Sequence, residues 1–259
     1  NIFWSWGGYM IIVVVGFIIP RMIERKIGQF SLGIWDFCWS LVNYLSYASL
    51  DIGSSVNRYV AKYRAEHNTE GLRRIISSVV CVQLIIAALV CIGAIVLAWL
   101  IPHYFSDRLE GETATAQWVI VFLGLSLAAE MAFSPFHGVI TGCHRWDLHS
   151  GIHVLTRVIE FAGMLTVLLL GMGLMALAIV YFCTVLTTEI LRMLLSYRVC
   201  PEMSIRFSFA SWFQTKKMVF FGWKTLVATI SPLILYQTAS VFVVGTLGLS
   251  ALAILARPI

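Results

Sequence analysis

The sequence predicts an all-α, polytopic transmembrane helical bundle, on three observations. The 259 residues are 59% hydrophobic and only 12% charged, with a mean hydropathy of +0.87. A soluble domain is usually about 45–50% apolar and about 25% charged, so this chain cannot cover a water-facing surface of its size. That excludes an ordinary soluble enzyme, and with it a disordered chain, a collagen and a disulfide-stapled secreted fold. The apolar residues also fall in long charge-free runs, from Ile2 to Ile19, Ile75 to Ser106, Thr113 to Ala129, Phe161 to Thr188 and Thr225 to Ala256. None of these runs alternates polar with apolar, as the strands of a membrane barrel would.

A bilayer crossing takes about 20 residues, so the longer runs must be divided at turn residues. The first helix is expected over 2–19, ended by Pro20 and followed by a short basic loop, Arg21 to Gly28. The second, 31–50, leads into a strongly basic connection. The third, 75–101, reaches Trp99 and an acidic loop with Asp107, Glu110 and Glu112. The fourth spans 117–138, and the fifth, 152–170, closes on the turn Gly171-Met172-Gly173. The sixth covers 174–196. A connection with Arg198, Arg206, Lys216 and Lys217 leads to a seventh helix over 219–245, carrying Pro232 near mid-span. Gly245 to Gly248 turn the chain into an eighth helix from about 249. From Leu249 to Ile259 there is only about 16 Å of helix, too short for a crossing of about 30 Å. The chain therefore reads as the N-terminal part of a longer protein, and no cleavable signal peptide is visible.

Basic residues orient the bundle. Arg58, Lys62, Arg64, Arg73, Arg74, Arg145, Arg198, Arg206, Lys216 and Lys217 lie in the even connections, against Arg21, Arg25, Lys26 and Arg108 in the odd ones. The positive-inside rule then puts the N-terminus and the even loops in the cytoplasm of a bacterial or archaeal cell. Trp99 and Trp118 at one side, and Trp4, Trp146 and Trp212 at the other, fit interfacial belts. The net charge of +5 is thus a topology signal; spread over loops, it does not make a nucleic-acid surface. The six cysteines show no C-x-x-C spacing and read as reduced packing residues with no metal or redox role. His137, His144, His149 and His153 cluster, but without an acidic or thiol partner at ligand spacing, so no metal and no cofactor is expected.

Polar groups within a bilayer helix face the bundle interior or a wet cavity. In the second helix Asp36, Ser40, Asn43, Tyr47 and Asp51 fall on one face, as do Ser126, Glu130, Ser134, His137 and Thr141 in the fourth. The seventh carries Thr225, Thr229, Pro232, Tyr236 and Ser240, with Lys224 at its inner end. One such stripe could simply join helices; three, with a proline that permits a bend, favour a polar cavity with Pro232 as hinge. Arg157 lies deep enough to need a partner, Glu130, Glu160 or both. Glu189 and Arg192, three residues apart, form a second expected pair. Both pairs are read as structural clamps.

The order of short motifs is familiar. N-x-x-W with Pro20 is followed by R-M-I-E-R-K-I-G, F-S-L-G-I-W, Y-L-S-Y-A-S-L-D-I-G and N-R-Y-V-A-K-Y, then G-V-I-T-G-C-H-R-W-D, G-M-G-L-M-A-L-A and, from Pro201, R-F-S-F to F-F-G-W. The series resembles the O-antigen type polysaccharide flippases of the multidrug/oligosaccharidyl-lipid/polysaccharide exporter superfamily along essentially the whole chain. The resemblance implies two six-helix lobes around a central cavity. Here 1–198 would be the first lobe, 199–218 the inter-lobe linker and 219–259 the start of the second. It implies alternating access, passing an undecaprenyl-diphosphate-linked oligosaccharide across the cytoplasmic membrane, with a polysaccharide polymerase and glycosyltransferases as partners. The anionic diphosphate calls for cavity cations, for which Lys224, Arg21, Arg25, Lys26, Arg58 and Lys62 are the candidates. Asp36, where the family is commonly apolar, is a candidate coupling residue, with Asn43 and Asp51 on the same stripe.

Two alternatives stand beside this reading. A drug or cation antiporter of the same superfamily would favour acidic cavity residues. A membrane-embedded glycosyltransferase or polymerase would need a catalytic cluster in a long outer loop, and the loop after the third helix offers poor ground for one. No nucleotide-binding motif is present, so ATP is not the direct energy source.

Overall fold

The computed structural model describes residues 16–46, 52–209, 216 and 238–255. Among them are helices and short turns, with no strand. The helices are α1 (16–26), α2 (Gln29–Leu45), α3 (Ile52–Ala65), α4 (Thr69–Phe105), α5 (Thr113–Gly142), α6 (Trp146–Leu169), α7 (Gly173–Val199), α8 (Thr238–Leu247) and α9 (Leu249–Leu255). Four of them, α4 to α7, are long and apolar enough to cross a membrane. The lobe boundary expected at 198 and 219 falls partly outside the described residues.

The helices run further than hydropathy suggests. α1 continues through Pro20 to Lys26, so the expected basic loop is helical and only Ile27 and Gly28 separate α1 from α2. Proline removes one donor but fixes a φ that a helix accepts, and Ile19 and Ile23, one turn apart, anchor this stretch in the core at 7% and 1% exposure. Gly28, at φ +106°, makes the reversal. The basic connection after the second helix is likewise α3. Val56 and Val60 on one side are fully buried, while Arg58, Lys62 and Arg64 on the other stay exposed. α4 begins before the apolar run, capped by the Asn68 side chain accepting from the Gly71 N–H at 2.8 Å. The turn after α6 falls at Gly171 to Gly173, as the sequence suggests.

α4 packs on α5, α5 on α7 and α6 on α7, while α2 lies against α5 and α9. The α4–α5 crossing is set by Gly124, where an added Cβ would stand 2.2 Å from the Ala94 Cβ. Small residues at such a point let two backbones approach closely. Two apolar clusters result. One gathers Ile23, Leu32, Phe37, Ile101, Leu109 and Leu174 at the end where α1 meets α2 and α4 meets α5. The other gathers Val56, Leu72, Ile75, Val139, Cys200 and Met203 at the opposite, basic end. The outer face of α4 is apolar and exposed at Ile85, Leu89, Ile92, Ile95 and Trp99, the pattern of a lipid-facing stripe.

The chain after α7 turns back over the start of α4. The Arg73 Nε donates to the Glu202 carbonyl at 3.0 Å, the Arg206 N–H donates to the Ser77 hydroxyl at 3.2 Å, and Met203 is buried at 4% exposure. At the other end α8 and α9 meet the first helices. The Arg108 guanidinium donates to the Gly245 carbonyl at 2.9 Å, and the Gln29 amide donates to the Ser250 carbonyl at 3.2 Å. The Tyr44 and Thr238 hydroxyls lie 3.1 Å apart. Gly33 makes this seam close, since a Cβ there would meet the Leu249 carbonyl oxygen at 2.2 Å.

Candidate functional site: a charged cleft among α5, α6 and α7

Where α6 and α7 leave the first apolar cluster, their facing sides become polar. His153, Thr156, Arg157 and Glu160 share one face of α6, with Thr156 and Arg157 three and four residues after His153 and Glu160 four and three after them. Tyr181, Thr184, Thr188 and Arg192 do the same on α7, with Glu189 beside them. Together with Glu130 of α5 they line a solvent-open cleft with about 350 Å³ of empty space.

Two ion pairs organise its walls. The Arg157 Nη1 donates to both carboxylate oxygens of Glu160, at 3.1 and 3.0 Å. Arg192 pairs with Glu189 one turn before it. The second pair is the more enclosed, its side chains 14% and 3% exposed against 39% and 11% for the first. Of the partners expected for Arg157, the structure shows Glu160. Glu130 shares the cleft but, among the described residues, forms no hydrogen bond or ion pair within 4.0 Å. Three carboxylates therefore face two guanidiniums, and the uncompensated one is open to the cleft.

The hydroxyls sharpen the chemistry. Thr156 donates to the Ile152 carbonyl at 2.8 Å, Thr184 to Val180 at 2.9 Å and Thr188 to Thr184 at 2.7 Å. With their protons committed to their own helices, these oxygens offer lone pairs. An oxygen-rich wall with one carboxylate in excess can hold a proton. Beside the cleft the His137 and His149 rings stack with centroids 4.2 Å apart and Nε2 atoms at 3.2 Å, one donating to the other, so the histidine cluster joins α5 to α6. Among the described residues no group of three or more His, Cys, Asp or Glu is arranged to hold a metal ion.

The remaining sequence candidates lie elsewhere. Arg21, Arg25 and Lys26 are exposed on the last turns of α1; Arg58 and Lys62 are exposed on α3, with Lys62 3.8 Å from Glu66. Asp36 and Asn43 are half-buried on α2. Lys224, Asp51 and Pro232 lie outside the described residues. The stripe expected on the fourth helix divides among tasks: Ser126 and Thr141 bond back to the Phe122 and His137 carbonyls of their own helix, His137 crosses to α6, and Glu130 faces the cleft. Sequence reasoning missed Tyr181, Thr184 and Thr188. Their steps of three and four toward Arg192 formed a legible stripe inside a charge-free run.

A family model described as MatE matches residues 7–163. The fold is similar to that of a solved structure described as the inward-facing conformation of a multidrug resistance MATE family transporter of the MOP superfamily, with a TM-score of 0.73 and 14% identity over 93% of this chain. The chain spans 56% of that structure's length. No curated protein sequence matches.

Proposed function

The chain belongs to the MatE family, a family of membrane transporters and not of enzymes, and on that premise we propose that it forms the first lobe and the opening of the second in an ion-coupled flippase for a lipid-linked oligosaccharide. The observation that carries the reading is the cleft of α5 to α7, where Glu130 makes no ion pair of its own within 4.0 Å and is a third carboxylate in the field of only two guanidiniums, Arg157 and Arg192, each already paired. A third carboxylate beside two guanidiniums is costly to keep charged within a membrane bundle unless it takes up a proton or a cation. That exchange supplies the free energy a carrier without a nucleotide site needs. The exposed cations Arg21, Arg25 and Lys26, together with Arg58 and Lys62, suit a diphosphate headgroup arriving from either leaflet. Lys224 and Asp36 keep their proposed roles as headgroup and coupling residues, and the basic end faces the cytoplasm.

The second reading, a cation-coupled drug antiporter, is favoured by the likeness to the multidrug transporter fold and by the acidic excess of the same cleft. One experiment separates the two. The full-length gene is expressed in a flippase-deficient strain and in a drug-sensitive one, with Glu130→Gln, Asp36→Asn and Lys224→Ala variants in each. Restored surface polysaccharide, lost in Glu130→Gln at unchanged protein level, is the expected result. Drug resistance without restored polysaccharide would overturn the flippase reading in favour of the antiporter.

A further inference from the structure

The histidine contact between α5 and α6 has no part in the cleft chemistry above. α6 leans mainly on α7, where a Cβ added at Gly163 would stand 2.8 Å from the Val180 side chain. Towards α5 its tie is narrow. Among the described residues, the one side-chain hydrogen bond between the two helices joins His137 to His149, Nε2 to Nε2 at 3.2 Å. The rings stack with their planes 28° apart, and the exposed Trp146 meets His149 edge-on at 5.9 Å. On α5, His137 lies between Glu130 and the helix end at Gly142; on α6, His149 lies one turn before the cleft residue His153. The contact therefore closes the end of the cleft next to the α5–α6 turn. It acts on α6 about 21 Å from Gly163. Gly151 has nothing within 4 Å of an added Cβ, so this end of the helix has room to move.

We propose that the His137–His149 stack is a proton-operated latch, which holds α6 on α5 and frees the adjoining end of the cleft when both rings are protonated. While one ring is neutral, its nitrogen lone pair receives the N–H of the other and the contact holds. With both rings protonated neither has a lone pair left, and two cations face each other at hydrogen-bonding distance. His149 has no second anchor, because its Nδ1 is enclosed without a hydrogen-bond partner among the described residues. The charges around the pair do not offset this. Arg157 and Arg192 already answer Glu160 and Glu189 on the α6 and α7 walls, and His153 stands with them. Glu130 is seven residues from His137 on α5, about 10 Å along the helix. Tyr197 of α7 meets Phe136, and towards α3 and α4 this stretch of α5 turns Phe136 and Val139 to the second apolar cluster. α2 meets α5 at its other end, where Cys38 reaches Ala116. A released ring binds a proton where free imidazole does, whereas the stack cannot hold one on both rings. Falling pH therefore favours release, and rising pH restores the latch. Its use in coupling rests on the transport reading above; the latch itself does not.

The test is hydrogen–deuterium exchange of the full-length protein in lipid nanodiscs, read by mass spectrometry at about pH 7.5 and about pH 5, across which imidazole titrates. Rates are corrected for the intrinsic pH dependence of amide exchange. The amides of 150–157 in α6 should exchange roughly tenfold faster, or more, at the lower pH, while those of 83–98 in α4 stay unchanged. His149→Phe and His137→Phe each keep a stacking ring but remove one of the two protonation sites, so each should hold the α6 segment equally slow at both pH values. His144→Asn, at an exposed turn position with φ +58°, should respond as the wild type does. A wild type without the acid response, or a response retained in a folded phenylalanine variant, overturns the proposal. The wild type and either phenylalanine variant are enough to decide, so one that fails to fold does not remove the test. The full acid response in a protein that restores no surface polysaccharide would support the latch and fault the flippase reading alone.

Discussion

At the scale of single residues, the two ion pairs of the cleft differ in how much depends on them. Glu189 and Arg192 are almost closed off from water, whereas Arg157 is well exposed. Removing one member of an enclosed pair leaves a charge without its partner, a loss of about 3–5 kcal/mol, while replacing both by apolar residues of similar size costs far less. Arg192→Met alone should therefore lower the thermal midpoint of the purified full-length protein markedly, and the double variant with Glu189→Leu should recover most of it. Arg157→Met should shift the midpoint less, because water screens that site. A double variant no more stable than Arg192→Met would show that the pair is not what holds the helix turn. Both pairs were legible in the sequence because their members sit three apart on one helix, a spacing that fixes neighbourhood before any tertiary structure exists. The place of Glu130 beside both pairs was not, since it depends on how α5 is rotated against α6 and α7.

At the scale of elements, the sequence located every crossing of the described region but set several boundaries short. Hydropathy reports where a helix leaves hydrocarbon, not where its hydrogen bonds stop. Arg, Lys and Glu are good helix formers in water, so α1 runs on through Arg25 and the supposed loop after α2 becomes α3. What hydropathy could not show at all is how close two helices lie. The α4–α5 crossing is a case in point, because the Gly124 site has no room for even one carbon beside Ala94. Gly124→Val should cost about 1–3 kcal/mol through overpacking, seen as a lowered thermal midpoint. Gly151→Ala on α6, with nothing within 4 Å of its added carbon, should be tolerated. Equal tolerance of the two changes would mean that the crossing is looser than its backbone separation implies.

For the whole molecule, the seam between α2 and α8–α9 is where the proposed transport motion can be tested. Gln29 and Ser250 face one another across it, and Arg108 reaches the Gly245 carbonyl nearby. A Gln29→Cys/Ser250→Cys pair in the full-length protein should cross-link rapidly under mild oxidation and halt transport until reduced. Rapid cross-linking with transport unimpaired would mean that the seam stays shut throughout the cycle. The resemblance implied two lobes around a cavity but no such seam, because Gly33 and Leu249 meet by backbone proximity and carry no chemical signature. α4 connects this seam to the opposite end of the bundle. Its 37 residues, about 55 Å at roughly 1.5 Å each, hold the returning segment at Arg73 and Ser77 and lead into Arg108, with the tight crossing at Ala94 between. From Ser77 to Ala94 is about 26 Å, and from Ala94 to Phe105 about 17 Å. A stiff rod held at such a fulcrum behaves as a see-saw: any tilt that opens the seam by a few ångströms must swing the strapped end the opposite way, and by the longer arm.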